Sequence, residues 1–140
     1  MRHTAVFSLD DLFFWKKQLL HWAAQHEAAV YLDSNGHGTN LPGASTSSQL
    51  PPTRRKEQDA GWECLVGAGA ARFVAAEAGT AFEQLHRFRL DAPADWLFGF
   101  FGYDLKNEVE RLSSRHFDGI GLPDLVFFQP ETVVGIRGDQ

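Results

Sequence analysis

The sequence predicts an α+β domain with a mostly antiparallel sheet. Short apolar segments rich in alternating or β-branched residues are separated by turn-type residues, so neighbouring strands are expected to pair as hairpins. Segments with helical spacing are few and do not follow every strand, as they would in a parallel α/β fold. The 140 residues suit one domain. We expect about six or seven strands and three helices.

The first elements lie before residue 34. Residues 3–8 alternate and predict a short strand. Asp10 can cap a helix running to about His26, and residues 28–33 predict a second strand ending in a Ser-Asn-Gly turn. The apolar face of the helix is predicted from Leu12, Trp15, Leu19, Trp22 and Ala23. Its polar face is predicted mostly from Lys16, Lys17, Gln18 and Gln25.

A polar stretch follows over residues 35–61, rich in Gly, Ser, Thr, Pro and charge. It is longer than most connections in compact domains. We interpret it as a long flexible loop, and its basic run Arg54-Arg55-Lys56 as solvated.

Apolar runs at 62–68 and 71–77 predict a hairpin across the glycine-rich stretch between them. That stretch lacks the third glycine of a dinucleotide loop and the Lys-Ser/Thr of a phosphate loop. Thr80 and Glu83 have the spacing of a capping box, which predicts a helix beginning at Ala81.

Residues 96–103 are the most apolar segment of the chain. Their two glycines, Gly99 and Gly102, indicate close backbone approach or a bulge rather than a plain strand. A short helix is expected over 105–112, and two further strands over 125–129 and 132–137 across a Pro-Glu turn.

Bulk composition argues against several functions. The net charge of −5 disfavours nucleic-acid binding through phosphate neutralisation. The single cysteine, Cys64, allows no disulfide within the chain and no cysteine pair for a metal. No signal peptide or long apolar run is evident, so we expect no membrane association and a cytoplasmic location.

No residue pattern indicates catalysis or a metal site. The six histidines show no metal-ligand spacing. Asp104 and Glu108 are four apart and could act as paired carboxylates, but Asp104 is also placed to cap the next helix, which we favour. Ser34 has no evident partner base. We therefore predict no catalytic residue and no metal ligand.

Residues 95–110 (DWLFGFFGYDLKNEVE) resemble the G-x-x-x-Y-D-x-x-x-x-x-E segment in the N-terminal region of the anthranilate synthase and para-aminobenzoate synthase component I family. Blocks at 31–35, 62–68 and 122–132 resemble other parts of the same N-terminal region, in the same order. The Leu-Asp-Ser-Asn and Asp-Leu-Lys-Asn-Glu forms look more like the para-aminobenzoate (aminodeoxychorismate) branch.

The resemblance implies that residues 1–140 are a non-catalytic N-terminal domain, part of an α/β sandwich. Such enzymes replace the hydroxyl of chorismate with an amino group, using ammonia from a glutamine amidotransferase partner. It also implies that Mg²⁺ and the acid–base residues belong to a C-terminal chorismate-binding domain, which nothing in this chain resembles. An exposed apolar surface is then expected where that domain packs, with Phe98, Phe100, Phe127 and Phe128 as candidates.

Some members of this family also hold a tryptophan molecule in this region. Leu32 and Ser34 match the first part of that pocket, whereas Trp62 and Glu63 stand where its Arg and Ser would be. The candidate ligand-binding residues are therefore Leu32, Ser34, Trp62 and Glu63. Two alternatives stay open: a stand-alone module that binds a tryptophan-like amino acid, and the N-terminal domain of an anthranilate synthase component I.

Overall fold

A computed structural model describes residues 2–35, 61–91, 94–110 and 120–137. These residues form three α-helices and a four-stranded antiparallel sheet, which confirms the α+β class. The elements in chain order are α1 (Leu12–Ala23), β1 (Ala29–Asp33), β2 (Cys64–Ala76), α2 (Ala81–Leu90), β3 (Phe98–Phe101), a 3-10 turn (Tyr103–Leu105), α3 (Lys106–Val109) and β4 (Leu125–Ile136). The flexible loop predicted over 35–61, and the end of the helix predicted over 105–112, lie largely outside the described residues.

The sheet has the strand order β1-β2-β4-β3, with every neighbouring pair antiparallel. Its centre is the long ladder between β2 and β4, which runs from the pair Cys64 and Ile136 to the pair Ala76 and Leu125. The shorter β1 and β3 pair with the outer sides of this ladder.

Two predicted turns are wrong, because both lie within continuous strands. The glycine-rich stretch after residue 66 continues β2 instead of forming a hairpin, and Pro130 lies inside β4. The register shifts between Ala70 and Arg72, next to Gly69 with φ of +72°. A bulge therefore accommodates the turn-type residues, and proline is tolerated in a strand at such an irregularity.

The predicted strand over residues 3–8 is also wrong, since these residues have no regular secondary structure. Arg2 holds the segment to the sheet instead: its Nη1 donates to the carbonyl of Glu131 (2.9 Å) and its Nε pairs with Asp95 (2.6 Å). These side-chain bonds replace the strand pairing that an alternating pattern normally indicates.

Helix α1 is confirmed, with a corrected cap. Asp11 rather than Asp10 precedes it, and Asp11 Oδ1 accepts from the backbone N–H of Phe14 (2.9 Å). The neighbouring Asp10 carboxylate accepts from the indole Nε1 of Trp15 (3.3 Å). Capping by a carboxylate satisfies one backbone donor that the first helical turn leaves open.

Helix α2 begins at Ala81 as predicted, but no capping box closes its start. Thr80 makes no side-chain capping bond. Glu108 supplies the acceptors instead, through N–H donation from Gly79 (2.9 Å), Ala81 (3.1 Å) and Phe82 (3.1 Å). The acceptor at the start of α2 is thus a carboxylate distant in the chain, and not the Thr80 side chain that the Thr-x-x-Glu spacing indicated.

The prediction that Asp104 caps the following helix is wrong. Its Oδ1 accepts from the ammonium of Lys106 (2.6 Å), and the helical turn starts after Gly102 without a side-chain cap. The alternative that Asp104 and Glu108 form an acid–base pair is not supported by a contact between them. Glu108 instead accepts hydrogen bonds at the start of α2.

Helices α1 and α2 each pack on the sheet over a small core of their own. Ala23 of α1 is buried with Cys64, Val66 and Ile136. Ala81 of α2 is buried with Ala76, Leu105 and Leu125. Side chains alternate between the two faces of a strand, so the residue next to each core position points away from the helix that packs there.

Candidate functional site

The structure brings two of the four predicted ligand residues together. Ser34 follows β1 and Glu63 precedes β2, and the Ser34 N–H donates to the Glu63 carbonyl (3.0 Å). The Ser34 hydroxyl also donates to Glu63 Oε2 (3.2 Å), and Glu63 is only 3% exposed. Leu32 and Trp62 are 51% and 45% exposed and belong to the helix-free face described below. The predicted pocket is therefore divided between two places.

Lys16 also contacts Glu63, although the sequence did not predict it as a site residue. Its Nζ lies 2.8 Å from Asp33 Oδ1 and 3.6 Å from Glu63 Oε2. Lys16 was expected on the polar face of α1, yet it is one turn from Leu12 and three residues before Leu19, both of which pack on the core. This i, i+4, i+7 spacing was the available signal for an inward-facing lysine. We call Lys16, Asp33, Ser34 and Glu63 the ammonium cluster.

The electrostatics of the ammonium cluster stabilise its charged forms. Partial burial would lower the pKa of Lys16, but the hydrogen bond to Asp33 and the charges of Asp33 and Glu63 raise it above the ordinary value. The hydrogen bond from Lys16, with that from the Asn35 N–H, lowers the pKa of Asp33. Lys16 and Asp33 are therefore ionised at neutral pH.

Tyr31 and Cys64 border the cluster on the sheet. The Tyr31 hydroxyl lies 3.3 Å from the Lys16 carbonyl oxygen and 3.4 Å from Asp33 Oδ2. Burial and hydrogen bonding with Cys64 raise the pKa of Tyr31. Burial also raises the pKa of the Cys64 thiol, despite its hydrogen bond with Tyr31. Nucleophilic cysteines need a lowered pKa, so Cys64 is suited to packing.

The cluster can hold a positive charge, but it contains no nucleophile with a free base. The carboxylate nearest to Ser34 is Glu63, which already faces the Lys16 ammonium. Among residues 2–35, 61–91, 94–110 and 120–137, no group of three or more His, Cys, Asp or Glu could hold a metal ion.

The opposite face of the sheet carries a row of aromatic rings, which we call the helix-free face. Trp62 meets Trp96 edge to face (6.4 Å between centroids), Trp96 stacks on Phe98 (6.1 Å), and Phe98 meets Phe128 (6.2 Å). The Phe98 ring covers Gly67, where a Cβ would lie 2.7 Å from it. Because Gly67 follows the core residue Val66, this ring lies opposite α1.

The helix-free face exposes large apolar side chains. Phe73 is 55% exposed and Phe100 is 42% exposed. Their chain neighbours Val74 and Phe101 pack toward α2, so Phe73 and Phe100 lie on the opposite side. Of the four phenylalanines predicted for this surface, Phe100 alone fits. Phe98 and Phe128 are buried by the aromatic row, and Phe127 packs in the core below α2. The exposed apolar side chains of this face are therefore mostly residues other than the predicted ones.

The N-terminal segment borders this face along a groove of about 830 Å³. Residues 2–6 line one side, and Trp62, Trp96 and Val133 lie on the other. Asp95 anchors the segment: the hydrogen bond from Arg2 lowers the pKa of Asp95 to about 2, outweighing its partial burial. Val6 remains 69% exposed, so this segment leaves apolar surface uncovered.

Within the described part of the chain, no helix is long and apolar enough to cross a bilayer. The longest described helix, α1, has 12 residues, whereas a membrane-spanning helix needs about 20.

Comparison with known proteins gives one partial similarity. The chain is 38% identical over 60 residues to anthranilate synthase component 1 of Cereibacter sphaeroides. The matched segment covers 36% of this chain and 12% of that relative. No family model matches the chain, and no solved structure matches it.

This partial similarity supports the anthranilate synthase component 1 family, in agreement with the sequence resemblance. The chain spans a small part of that relative's length.

Proposed function

We propose that this chain is the non-catalytic N-terminal domain of a chorismate-converting synthase component I, of the aminodeoxychorismate branch. The helix-free face is the observation that carries the proposal. A sheet whose helices lie on one face normally buries its other face against a further layer. Exposed Phe73 and Phe100 lie beside the buried aromatic row, and such contiguous apolar surface is typical of an interface.

The proposed role is to complete and support a catalytic half. The chorismate-binding domain would pack on the helix-free face and supply the acid–base residues and the Mg²⁺ site. A glutamine amidotransferase subunit would supply ammonia for the conversion of chorismate to 4-amino-4-deoxychorismate. Because the ammonium cluster pairs its charges internally, it supports scaffolding better than chemistry.

The proposal is tested by supplying the missing half. The 140-residue chain is mixed with a separately produced chorismate-binding domain of an aminodeoxychorismate synthase, and binding is measured by calorimetry. We expect binding that Phe73→Lys and Phe100→Lys weaken at least about tenfold, as loss of buried interface aromatics does. Val109→Lys is the matched control, since Val109 is 73% exposed on α3. Equal binding by all variants would refute docking through this face.

Product identity separates the two branches. The partial similarity to an anthranilate synthase component 1 favours the alternative that this is the N-terminal domain of the anthranilate branch. The reconstituted complex is incubated with chorismate, ammonium and Mg²⁺, and the products are separated by chromatography. Accumulation of 4-amino-4-deoxychorismate supports the proposal, and accumulation of anthranilate supports the alternative.

An amino-acid-binding regulatory module is the second alternative. It is favoured by the contact between Ser34 and the buried Glu63, two of the predicted ligand residues. Calorimetry with tryptophan tests it. Heat of binding that disappears in Ser34→Ala would support the module, whereas no heat with tryptophan or related amino acids would exclude it.

A further inference from the structure

We propose that the free edge of β3 is an interaction surface at which a second copy of this chain pairs its own β3. The two sheets then join as one antiparallel sheet. This inference goes beyond the proposed docking of a catalytic half, because it concerns the edge of the sheet and not its helix-free face.

The unprotected position of β3 is the first support. Among the described residues, the strand order places β3 at the end of the sheet, with β4 on one side only. Strands in this position normally carry a charge, a proline or a bulge that discourages pairing with another chain. β3 contains no charged residue and no proline, and its register with β4 is continuous. The strand at the other end, β1, carries Asp33 in an ion pair with Lys16.

The backbone groups of β3 are the second support. The Gly102 N–H donates to the Asp124 carbonyl, in register with the β3–β4 pairs. Hydrogen-bonded and non-hydrogen-bonded residues alternate along an antiparallel strand, so the N–H and C=O groups of Gly99 and Phe101 point away from β4. Gly99 and Phe101 are exposed. Their backbone groups are therefore placed to pair with a further strand.

One register uses both of these residues in both copies. Residues paired in a ladder share a face, so Gly99 of each copy lies opposite Phe101 of the other, and the two Phe100 residues meet at the two-fold axis. Each Gly99–Phe101 pair exchanges two N–H···O=C bonds, which gives four hydrogen bonds between the copies. This match is a property of β3 against itself, and it favours a second copy over an unrelated strand.

The side chains fit the same register. Gly99 cannot carry a side chain, because a Cβ would overlap the Val126 carbonyl oxygen. The Phe101 ring of the second copy would cover Gly99 instead, a favourable pairing of glycine with an aromatic residue across strands. Phe101 packs on the α2 side and Phe100 lies on the helix-free face, and both are exposed in the single copy. Pairing thus removes apolar surface from water on both faces.

Edge pairing leaves the helix-free face open. The two-fold axis is perpendicular to the sheet, so the helix-free faces of the two copies lie on the same side. Phe73, which lies in β2, stays exposed in both copies. Pairing through β3 and docking of a catalytic half are therefore separable by experiment.

Cysteine cross-linking tests the register. The Cα atoms of a non-hydrogen-bonded pair are about 4.5 Å apart, which suits a disulfide. We expect Phe100→Cys to form a disulfide-linked dimer under mild oxidation at least about tenfold faster than Phe73→Cys, because pairing raises the effective concentration of the thiols. Phe73→Cys is the matched control, since Phe73 is exposed on the same face but two strands away. Wild type should not cross-link, because Cys64 is buried.

A proline variant tests the backbone pairing. Phe101→Pro removes the outward N–H and keeps the β3–β4 bonds, since proline is tolerated on a free edge. Sedimentation equilibrium of the chain alone should show dimerisation at least about tenfold weaker than for Phe101→Ala, because two of the four bonds are lost. Phe101→Ala is the matched control, which lacks the ring but keeps the N–H. Phe73→Lys should dimerise as wild type does.

Several results would overturn the proposal. Sedimentation of wild type as a monomer at every concentration up to about 1 mM would leave the edge to a strand of another protein. Equal cross-linking of Phe100→Cys and Phe73→Cys would indicate association through the helix-free face. Equal dimerisation of Phe101→Pro and Phe101→Ala would exclude backbone pairing, and if Phe101→Pro does not fold, the cross-linking rates decide. These measurements omit the chorismate-binding domain, so their failure and a failure of docking are distinguishable.

Discussion

Gly99 lies where β3 approaches β4 most closely. A Cβ at this position would overlap the Val126 carbonyl oxygen and lie 2.7 Å from the Cα of Phe127. Both obstacles are backbone atoms of the central ladder, so they cannot move as a flexible side chain would. The residue type indicated close backbone approach or a bulge, and the packing of β3 against β4 shows that close approach applies at Gly99.

We predict that Gly99→Ala lowers the free energy of unfolding by about 1–3 kcal/mol, as overpacking a tight site does. Denaturant unfolding followed by tryptophan fluorescence measures it. Gly61→Ala is the control, because a Cβ there meets nothing within 4 Å, and its effect should stay within about 0.5 kcal/mol. Equal stability of Gly99→Ala and wild type would contradict the close approach.

Lys16 shows how a residue-level reading can fail. Its charge placed it on the solvent side, while its spacing from Leu12 and Leu19 placed it on the core side. The spacing was the better guide, because Asp33 and Glu63 arrive from other elements to pair the charge. Their proximity depends on β1 and β2 being neighbours. Spacing alone cannot predict that a charged residue points inward, because this requires other residues that pair its charge.

At the scale of elements, β2 and β4 are longer than their sequences suggested. Gly69 and Pro130 are turn-type residues, and each was read as the end of a strand. Gly69 and Pro130 both lie inside the β2–β4 ladder at one irregularity. Ala70 pairs with Pro130 there, and the register then shifts. Such a bulge needs the opposite strand to be present, and for that reason a local pattern cannot distinguish it from a turn.

Glu108 links α3 to the start of α2, and this link is open to test. Partial burial would raise the pKa of Glu108, but N–H donation from Gly79, Phe82 and Ala81 outweighs it and lowers that pKa. We predict that Glu108→Gln speeds amide hydrogen exchange at these three residues, because a neutral amide is a weaker acceptor. Glu110→Gln, on an exposed side chain two residues later, should leave their exchange unchanged.

The stabilisation that Glu108 contributes should depend on pH, and the lowered pKa fixes the direction of that dependence. A carboxyl whose pKa is lower in the folded state stabilises the fold above its unfolded pKa, which is about 4.3 for glutamate. That contribution is lost as the pH falls through the lower folded pKa. The difference in stability between wild type and Glu108→Gln should therefore be constant near neutral pH and shrink below about pH 4. A difference that does not change on acidification would contradict an ionised cap.

At the scale of the whole molecule, the two faces of the sheet differ. The two described helices of more than one turn, α1 and α2, each pack on the sheet away from the aromatic row. The other face bears the aromatic row together with exposed Leu32, Phe73 and Phe100. This asymmetry is what a half of a larger sandwich would show, and it is the physical basis of the proposed docking.

We predict that the chain alone binds a hydrophobic fluorescent dye through the helix-free face. Phe73→Lys and Phe100→Lys should reduce the fluorescence, since each removes an exposed aromatic ring from this face. Circular dichroism should show unchanged folding, because both side chains are largely exposed. Val109→Lys, on α3, should leave the dye signal as in wild type. Undiminished dye binding by both phenylalanine variants would place the apolar surface elsewhere.

The sequence by itself determined the α+β class with an antiparallel sheet, α1 and α2, because apolar spacing acts locally. It did not determine which strands pair, since both predicted hairpins lie within continuous strands. Tertiary structure alone decided the rest. The cap of α2 comes from Glu108, the N-terminal segment is held by Arg2, and Lys16 turns inward toward Asp33. Each of these depends on a partner more than about 15 residues away, a separation over which periodicity carries no information. The contact between the candidate ligand residues Ser34 and Glu63 likewise depends on the pairing of β1 with β2.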